Sequence, residues 1–249
     1  MADEELIPGE SYYAYFRRML SGEFTEVSRF EEKADSRISL LRHNGSGQRF
    51  VLLDLPGDAA VYRSLMSVRC AHLPEIYELA EEDGRLFVLE EFIPGDTLQD
   101  LADCSLFPEK KAREITLQIC QALYVMHGLG LVHRDVKPSN VVIHGDRAVL
   151  IDFSASRFMK ASSDESPGQR HDTVILGSPG YAAPEQHGLA RTDGRADIYS
   201  LGVMLNVLIT GDHPSRKLAG GRLGRVISRC TMTNPKKRYR DVVHLMEAL

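Results

Sequence analysis

Apolar residues change their spacing near residue 93 of this 249-residue chain. Before that point they come in short runs bounded by turn residues: "FTEVSRF", "RISLLRH", "RFVLLDL", "EIYELAE" and "RLFVLEE". Runs of this length and composition predict β-strands. Asn44-Gly45 lies between two of them, in "RHNGSGQRF", and predicts a hairpin. "DAAVYRSLMSVR" interrupts the strands with Val61, Leu65 and Val68 at helical spacing. Beyond residue 93 the pattern turns helical. "PEKKAREITLQICQALYVMHGLG" opens with Pro108 and the acidic Glu109, aligns Ile115, Ile119, Leu123 and Met126 on one stripe, and closes at Gly128. The join, "EEFIPGDTL", carries a Pro-Gly suited to a hinge. The expected architecture is α+β: one domain spanning 1–249, with a small β-rich lobe over 1–92 and a larger, mainly helical lobe over 93–249.

Composition removes several function classes. A hydrophobic content of 43% and a charged content of 26% are ordinary for a globular chain. A net charge of -5 and a pI near 6.0 give no footprint for a polyanion, so nucleic acid is not the expected partner. Cys70, Cys104, Cys120 and Cys230 are widely separated, which fits reduced thiols in a cytoplasmic protein. The nine histidines show no zinc-like spacing. The opening "MADEELIPGE" lacks an apolar signal core. The longest apolar-rich run, "IYSLGVMLNVLI", is too short to span a bilayer and reads as a buried helix. No membrane contact by this segment is expected.

The candidate chemistry lies in the second lobe. "LVHRDVKPSNVVI" resembles the catalytic loop of eukaryotic-type protein kinases, and "LIDFSA" resembles their D-F-G segment. The resemblance implies a bilobal protein kinase fold, with ATP and Mg2+ (or Mn2+) as cofactors and a protein substrate or signalling partner. It implies that Asp135 accepts the proton of the substrate hydroxyl and that Lys137 neutralises charge on the transferring phosphate. Asn140 and Asp152 would be the metal ligands and would contribute to nucleotide binding. Glu91 and Ile93, in the join, are also assigned to nucleotide binding. "GSPGYAAPEQ" is similar to the close of an activation segment, with Ala183-Pro184-Glu185 as A-P-E. In "DGRADIYSLGVML", Asp197 would brace the catalytic loop; in "NPKKRY", Arg238 would pair with Glu185. Lys137 and the long stretch from Asp152 to Glu185 resemble the serine/threonine group acting on proteins. Ser178 stands where a hydroxyl bonds the aspartate and lysine of the loop. Arg134 could receive a phosphate added to Thr173.

The first lobe departs from the family. Aligning the hairpin places Leu53 at the lysine of V-A-I-K, and no lysine occurs from Ala34 through Glu109. The glutamate that partners this lysine falls on Val61. An apolar pair can replace an ion pair without stranding a buried charge. The phosphate-covering glycines fall on Glu31, Lys33 and Ser36, where side chains obstruct close approach to phosphate. A weaker alternative takes "LSGEFTEV" as that loop and retains Gly22 alone. Glu90 occupies the gatekeeper position, and Ser154 replaces the glycine of D-F-G. Lys33 has two readings: a substitute nucleotide-gripping lysine, as in the with-no-lysine kinases, or part of the solvated tip "EEKAD". The connection after "LITGDHPSRKLAGGRLGR" is shorter than the family usual. The sequence thus points to a serine/threonine protein kinase-like chain with weak activity. The alternative is a pseudokinase that binds nucleotide or serves as a scaffold, and the A-P-E segment disfavours a small-molecule phosphotransferase.

Overall fold

The computed structural model describes residues 10–32, 35–159, 178–187 and 192–249. Among these, the chain divides into two compact units: Met1–Arg69 with Pro74–Phe92, and Cys70–Leu73 with Ile93–Leu249. The short piece 70–73 belongs with the second unit because His72 bonds it there. Its carbonyl accepts from Leu150 N at 3.0 Å, and its Nδ1 bonds Ala148 O at 2.8 Å.

The first unit starts with a helix that sequence periodicity had not signalled above, α1 (Tyr12–Glu23). Ser11 caps it, accepting from Ala14 N at 3.2 Å. Five antiparallel strands follow: β1 (Phe24–Glu32), β2 (Arg37–His43), β3 (Arg49–Pro56), β4 (Ile76–Glu82) and β5 (Arg85–Glu91), in the order β1-β2-β3-β5-β4. The expected β2–β3 hairpin forms, but its left-handed residue is Gly47 (φ 71°) and not Gly45. Asn44 is occupied elsewhere, with Oδ1 accepting from Thr25 Oγ1 at 2.7 Å.

Alternation of side chains along the strands divides the sheet into two faces. One face presents Leu41, Phe50, Leu52, Phe87 and Leu89, and α1 covers it with Tyr13, Phe16 and Leu20. Tyr13 stacks on Phe87 at 4.9 Å. Each such side chain stabilises the unit by roughly 1.5–3 kcal/mol through burial. The other face carries the row Ile38, Leu53 and Val88 across β2, β3 and β5. The helix expected after β3, α2 (Ala60–Leu65), is shorter than its apolar spacing suggested. It buries Val61, Tyr62 and Leu65, while Val68 lies beyond its end. Two bulges in β1 leave Val27 and Phe30 exposed.

In the second unit, β6 (Asp96–Thr97) leads into α3 (Leu98–Cys104), closed by a Thr97–Asp100 capping box. The long helix α4 (Glu109–Gly128) has the expected bounds and buries Ile115, Ile119, Leu123 and Met126. Then come β7 (Leu131–Val132), β8 (Val141–His144), β9 (Arg147–Leu150) and β10 (Arg157–Phe158). β6, β8 and β9 form one small sheet, while β7 and β10 form another. The apolar run of the sequence is α5 (Arg195–Thr210), buried along most of its length. α6 (Gly221–Cys230) packs closely against it at Gly202, and α7 (Val242–Ala248) ends the chain. The short α5–α6 connection is organised by the buried Asn206. Its Nδ2 donates to Asp212 O and Lys217 O, each at 2.7 Å, and its Oδ1 accepts from Ala219 N at 2.9 Å. All four cysteines are free. No described helix is long and apolar enough to cross a membrane.

Candidate active site

The segment from His133 to Asn140 links β7 to β8 and would be an unsupported loop without α5. Asp197, in the first turn of α5 and fully buried, reaches under it. Its Oδ2 accepts from His133 N at 3.0 Å and its Oδ1 from Arg134 N at 2.8 Å. His127, near the end of α4, supplies a third bond through Nε2 at 2.8 Å. Burial alone would push the Asp197 pKa up; the His127 bond, together with the Arg134 amide, outweighs burial and holds it low. A buried carboxylate with three donors is thereby kept ionised. This bracing matters because Arg134 sits at φ 70°, a conformation a bulky side chain adopts only when its surroundings impose it. Gln186 adds to the restraint, donating Nε2–H to Arg134 O at 2.8 Å.

His133 is buried and neutral. Burial lowers its pKa, against the opposing fields of Asp197, Asp152 and Asp135. Its bonds agree: Nδ1 accepts from Asp135 N and Nε2 donates to Ile151 O, both at 3.3 Å. The ring stands edge-on to Phe153, with centroids 5.8 Å apart. One imidazole therefore ties the catalytic-loop candidate to the strand end that carries Asp152.

The structure brings four of the candidate residues together through Asp135. Lys137 Nζ lies 2.7 Å from Asp135 Oδ2 and donates to Ser178 Oγ at 2.6 Å. Ser178 N donates to Asp135 Oδ1 at 3.0 Å, so the hydroxyl position noted in the sequence is used through both its side chain and its backbone. Asn140 donates Nδ2–H to Asp135 O at 2.9 Å and to Oδ2 at 3.0 Å. The strongest single influence on Asp135 is burial, which raises its pKa. The Lys137 and Ser178 bonds together exceed it and hold the carboxyl below its ordinary range. Asp135 is thus an anion whose two oxygens are fixed in direction.

Asp152 adopts φ 66° and accepts from Ser154 N at 3.1 Å through Oδ1. That bond lets an aspartate hold a turn in which Ser154 replaces glycine. Because the Asn140 amide nitrogen is committed to Asp135, its Oδ1 is the atom left for other bonds. Asn140 Oδ1 and the Asp152 carboxylate are hard oxygens of the kind that bind Mg2+. Among the described residues no group of three or more His, Cys, Asp or Glu could hold a metal alone. A divalent ion here fits if phosphate oxygens or water complete its shell. Beside these polar groups, Ile93, Val142, Val149 and Ile151 form a small apolar cluster.

At the far end of the substrate-platform candidate, Glu185 and Arg238 form a bidentate pair, at 2.6 and 2.8 Å. This is the pairing anticipated from "APE" and "NPKKRY".

Residues 57–245 match the protein kinase domain family. The chain belongs to the protein kinase family. It is 29% identical over 211 residues to serine/threonine-protein kinase PknA of Nostoc sp., covering 77% of this chain and 37% of that one. It is 30% identical over 213 residues to PknB of Mycolicibacterium smegmatis, covering 84% and 32%, and 35% identical over 185 residues to PknB of Mycobacterium leprae, covering 69% and 29%. The chain therefore spans about a third of the length of these curated relatives. Its kinship is with the serine/threonine type, and it has the kinase arrangement of a β-sheet unit and a helical unit. The family match begins just past β3, which leaves β1, β2 and β3 outside it.

The first-unit positions at which the sequence departs from the family pattern are placed as follows. Leu53 is 6% exposed and Val61 9%, each buried within the first unit. Glu31 pairs with Ile38 at the ends of β1 and β2, so the connection that the family resemblance assigns to covering phosphate is the β1–β2 one. This overturns the alternative reading of "LSGEFTEV" as that turn: Gly22 lies within α1, and Phe24 onward is β1. Lys33 and Thr173 lie outside the described residues. Glu90 is buried, at 6% exposure. Glu91 is held in β5 by its amide bond to Glu75 O at 2.8 Å, and its Oε2 accepts from Glu75 N at 3.2 Å. Ile93, 6% exposed, joins the apolar cluster beside Asn140. The Arg134 side chain is 2% exposed, packed inside the second unit. Sequence reasoning passed over His127 and Gln186. A histidine on the α4 stripe and a glutamine next to A-P-E carry no local signal, because their partners lie 70 and 52 residues away.

Proposed function

We propose that this chain transfers the γ-phosphate of ATP to serine or threonine hydroxyls of a protein, at a rate reduced by its altered first unit. The observation that carries the reading is the lattice of Asp135, Lys137, Asn140 and Ser178. An ionised, oriented Asp135 accepts a hydrogen bond from the substrate hydroxyl, aligns its lone pair and receives its proton as the phosphoryl group moves. A strong base is not required, because phosphoryl transfer depends mostly on positioning and charge stabilisation. Lys137, already between Asp135 and Ser178, neutralises charge on the transferring group. Asn140 Oδ1 and the Asp152 carboxylate would hold Mg2+, which when bound would supply positive charge against the phosphates. The cluster of Ile93, Val142 and Ile151 offers an apolar surface for the base.

The first unit explains the reduced rate. Leu53 cannot supply the cation that grips phosphate, and losing one preorganised donor costs about 10²–10³ in rate. Against roughly 1–100 s⁻¹ for kinases in general, slow but measurable turnover remains. Lys33 is the candidate substitute. The test is transfer of labelled phosphate from Mg-ATP to a generic serine/threonine substrate, with Asp135→Asn as control. Slow incorporation abolished by Asp135→Asn supports the reading. Incorporation unaffected by the substitution sinks it, and so does a natively folded chain that binds Mg-ATP without turning it over, which is the behaviour of a nucleotide-binding scaffold.

A further inference from the structure

The second unit has a cavity of about 550 Å³ outside the site described above, and its walls are cationic. Arg229 comes from α6, Lys236 from the short turn Pro235–Lys237, and Arg240 from the approach to α7. Deeper in the wall are Arg195 and Arg238. These two are fixed by acids, Arg195 by Asp193 at 2.5 Å and Arg238 by Glu185. Arg240 shares Asp241 with His244 across the exposed rim, at 3.1 and 2.6 Å. No carboxylate among the described residues pairs with Arg229 or Lys236. Arg229 is instead laid over the Tyr239 ring, 4.3 Å from its centroid, which fixes its guanidinium in direction. Glu247 is the acidic side chain in the lining.

The chain as a whole carries a net charge of -5, so this concentration of cations runs against the global field. A long polyanion would be repelled by the surrounding surface, whereas a small dianion can enter a local basic cavity. We infer that the cavity binds a phosphate monoester, presented as a phosphoserine or phosphothreonine side chain or as free phosphate. Arg229 and Arg240 carry the forked donors that match phosphate oxygens, and Lys236 adds a compact positive charge. The volume is within the range of a small-ligand site. The site is separate from the phosphoryl-transfer lattice: its walls are built from α6, α7 and the turns between them, together with Arg195 at the start of α5.

Fluorescence polarisation with the full chain tests this, using a labelled short peptide with one phosphoserine, its unphosphorylated twin, and inorganic phosphate as competitor. The phosphopeptide is expected to bind, the twin not, and affinity to fall as salt rises. Lys236→Glu and Arg240→Glu are each expected to weaken binding roughly tenfold or more. Thermal melting checks that both variants fold, with Lys236→Gln as a milder substitution expected to lose a smaller factor. Competition by inorganic phosphate at equal molar affinity keeps the site and identifies free phosphate as the ligand; a strong preference for the phosphopeptide identifies the modified side chain. Equal binding of both peptides would overturn the inference, as would affinity unchanged by charge reversal in natively melting variants.

Discussion

Removing Arg238 gives the most quantitative test of how the second unit is held together. All five guanidinium donors are used. Nε donates to Met232 O at 2.7 Å. One terminal nitrogen serves Glu185 Oε1 and Arg195 O at 2.6 and 2.8 Å, and the other serves Glu185 Oε2 and Thr233 O at 2.8 and 3.2 Å. The side chain is 0% exposed and that of Glu185 7%, so neither charge is screened by water. Arg238→Ala leaves the Glu185 carboxylate and three carbonyls without their donor. Breaking a buried pair from one side costs about 3–5 kcal/mol. At about 2–4 °C per kcal/mol for a chain of this size, the melting temperature should fall by roughly 6–20 °C. The reasoning also predicts a sign in the double variant. Arg238→Met with Glu185→Met strands no charge and should be clearly less destabilised than Arg238→Ala. Calorimetry on wild type, Arg238→Met, Glu185→Met and the double variant reads the coupling directly. A loss under about 1 kcal/mol for Arg238→Ala, or a double variant as unstable as the sum of the singles, would refute the argument.

Two further outcomes follow from the packing and the titrating groups. A Cβ on Gly202 would stand 2.4 Å from Cys230 Cβ, so Gly202→Ala should cost about 1–3 kcal/mol by forcing α5 and α6 apart, read as a lowered urea midpoint. Acid stability should fall in two stages. His133 is held neutral by burial, so its contribution is complete above the unfolded value near 6.5 and declines as pH drops below it; His133→Phe should flatten that first limb. Asp135 and Asp197 have depressed pKa values, so their contribution is complete above about 4 and is lost as pH falls through their folded values, read from denaturant midpoints measured against pH.

Local chemistry was well expressed in the sequence. The strands of the first unit and the α4 stripe could be read directly because alternating and helically spaced apolar residues encode them, whereas the Glu185–Arg238 pairing was implied by the resemblance of "APE" and "NPKKRY" to the kinase family. The helix α1 was missed although Ser11 precedes Tyr13, Phe16 and Leu20 at helical spacing. A short amphipathic stretch beside an acidic, apolar-poor opening has little weight until the sheet face it covers is known. α2 was overextended: Val68 continues the apolar spacing, but the helix ends after Leu65. The hairpin was located correctly, yet Asn44 was drawn off to Thr25, moving the left-handed residue to Gly47. The bonds of His127 and Gln186 depend on elements brought together only by folding. The direction of the Asn140 amide was equally beyond reach, since it is set by both the backbone and the side chain of Asp135.

Turnover of Mg-ATP by the double variant Leu53→Lys with Val61→Glu, against wild type, probes the division of labour between the two units most directly. If the Asp135 lattice is competent and only the phosphate grip is missing, restoring the lysine–glutamate pair should raise the rate by about 10²–10³. A natively folded double variant no faster than wild type would contradict the account.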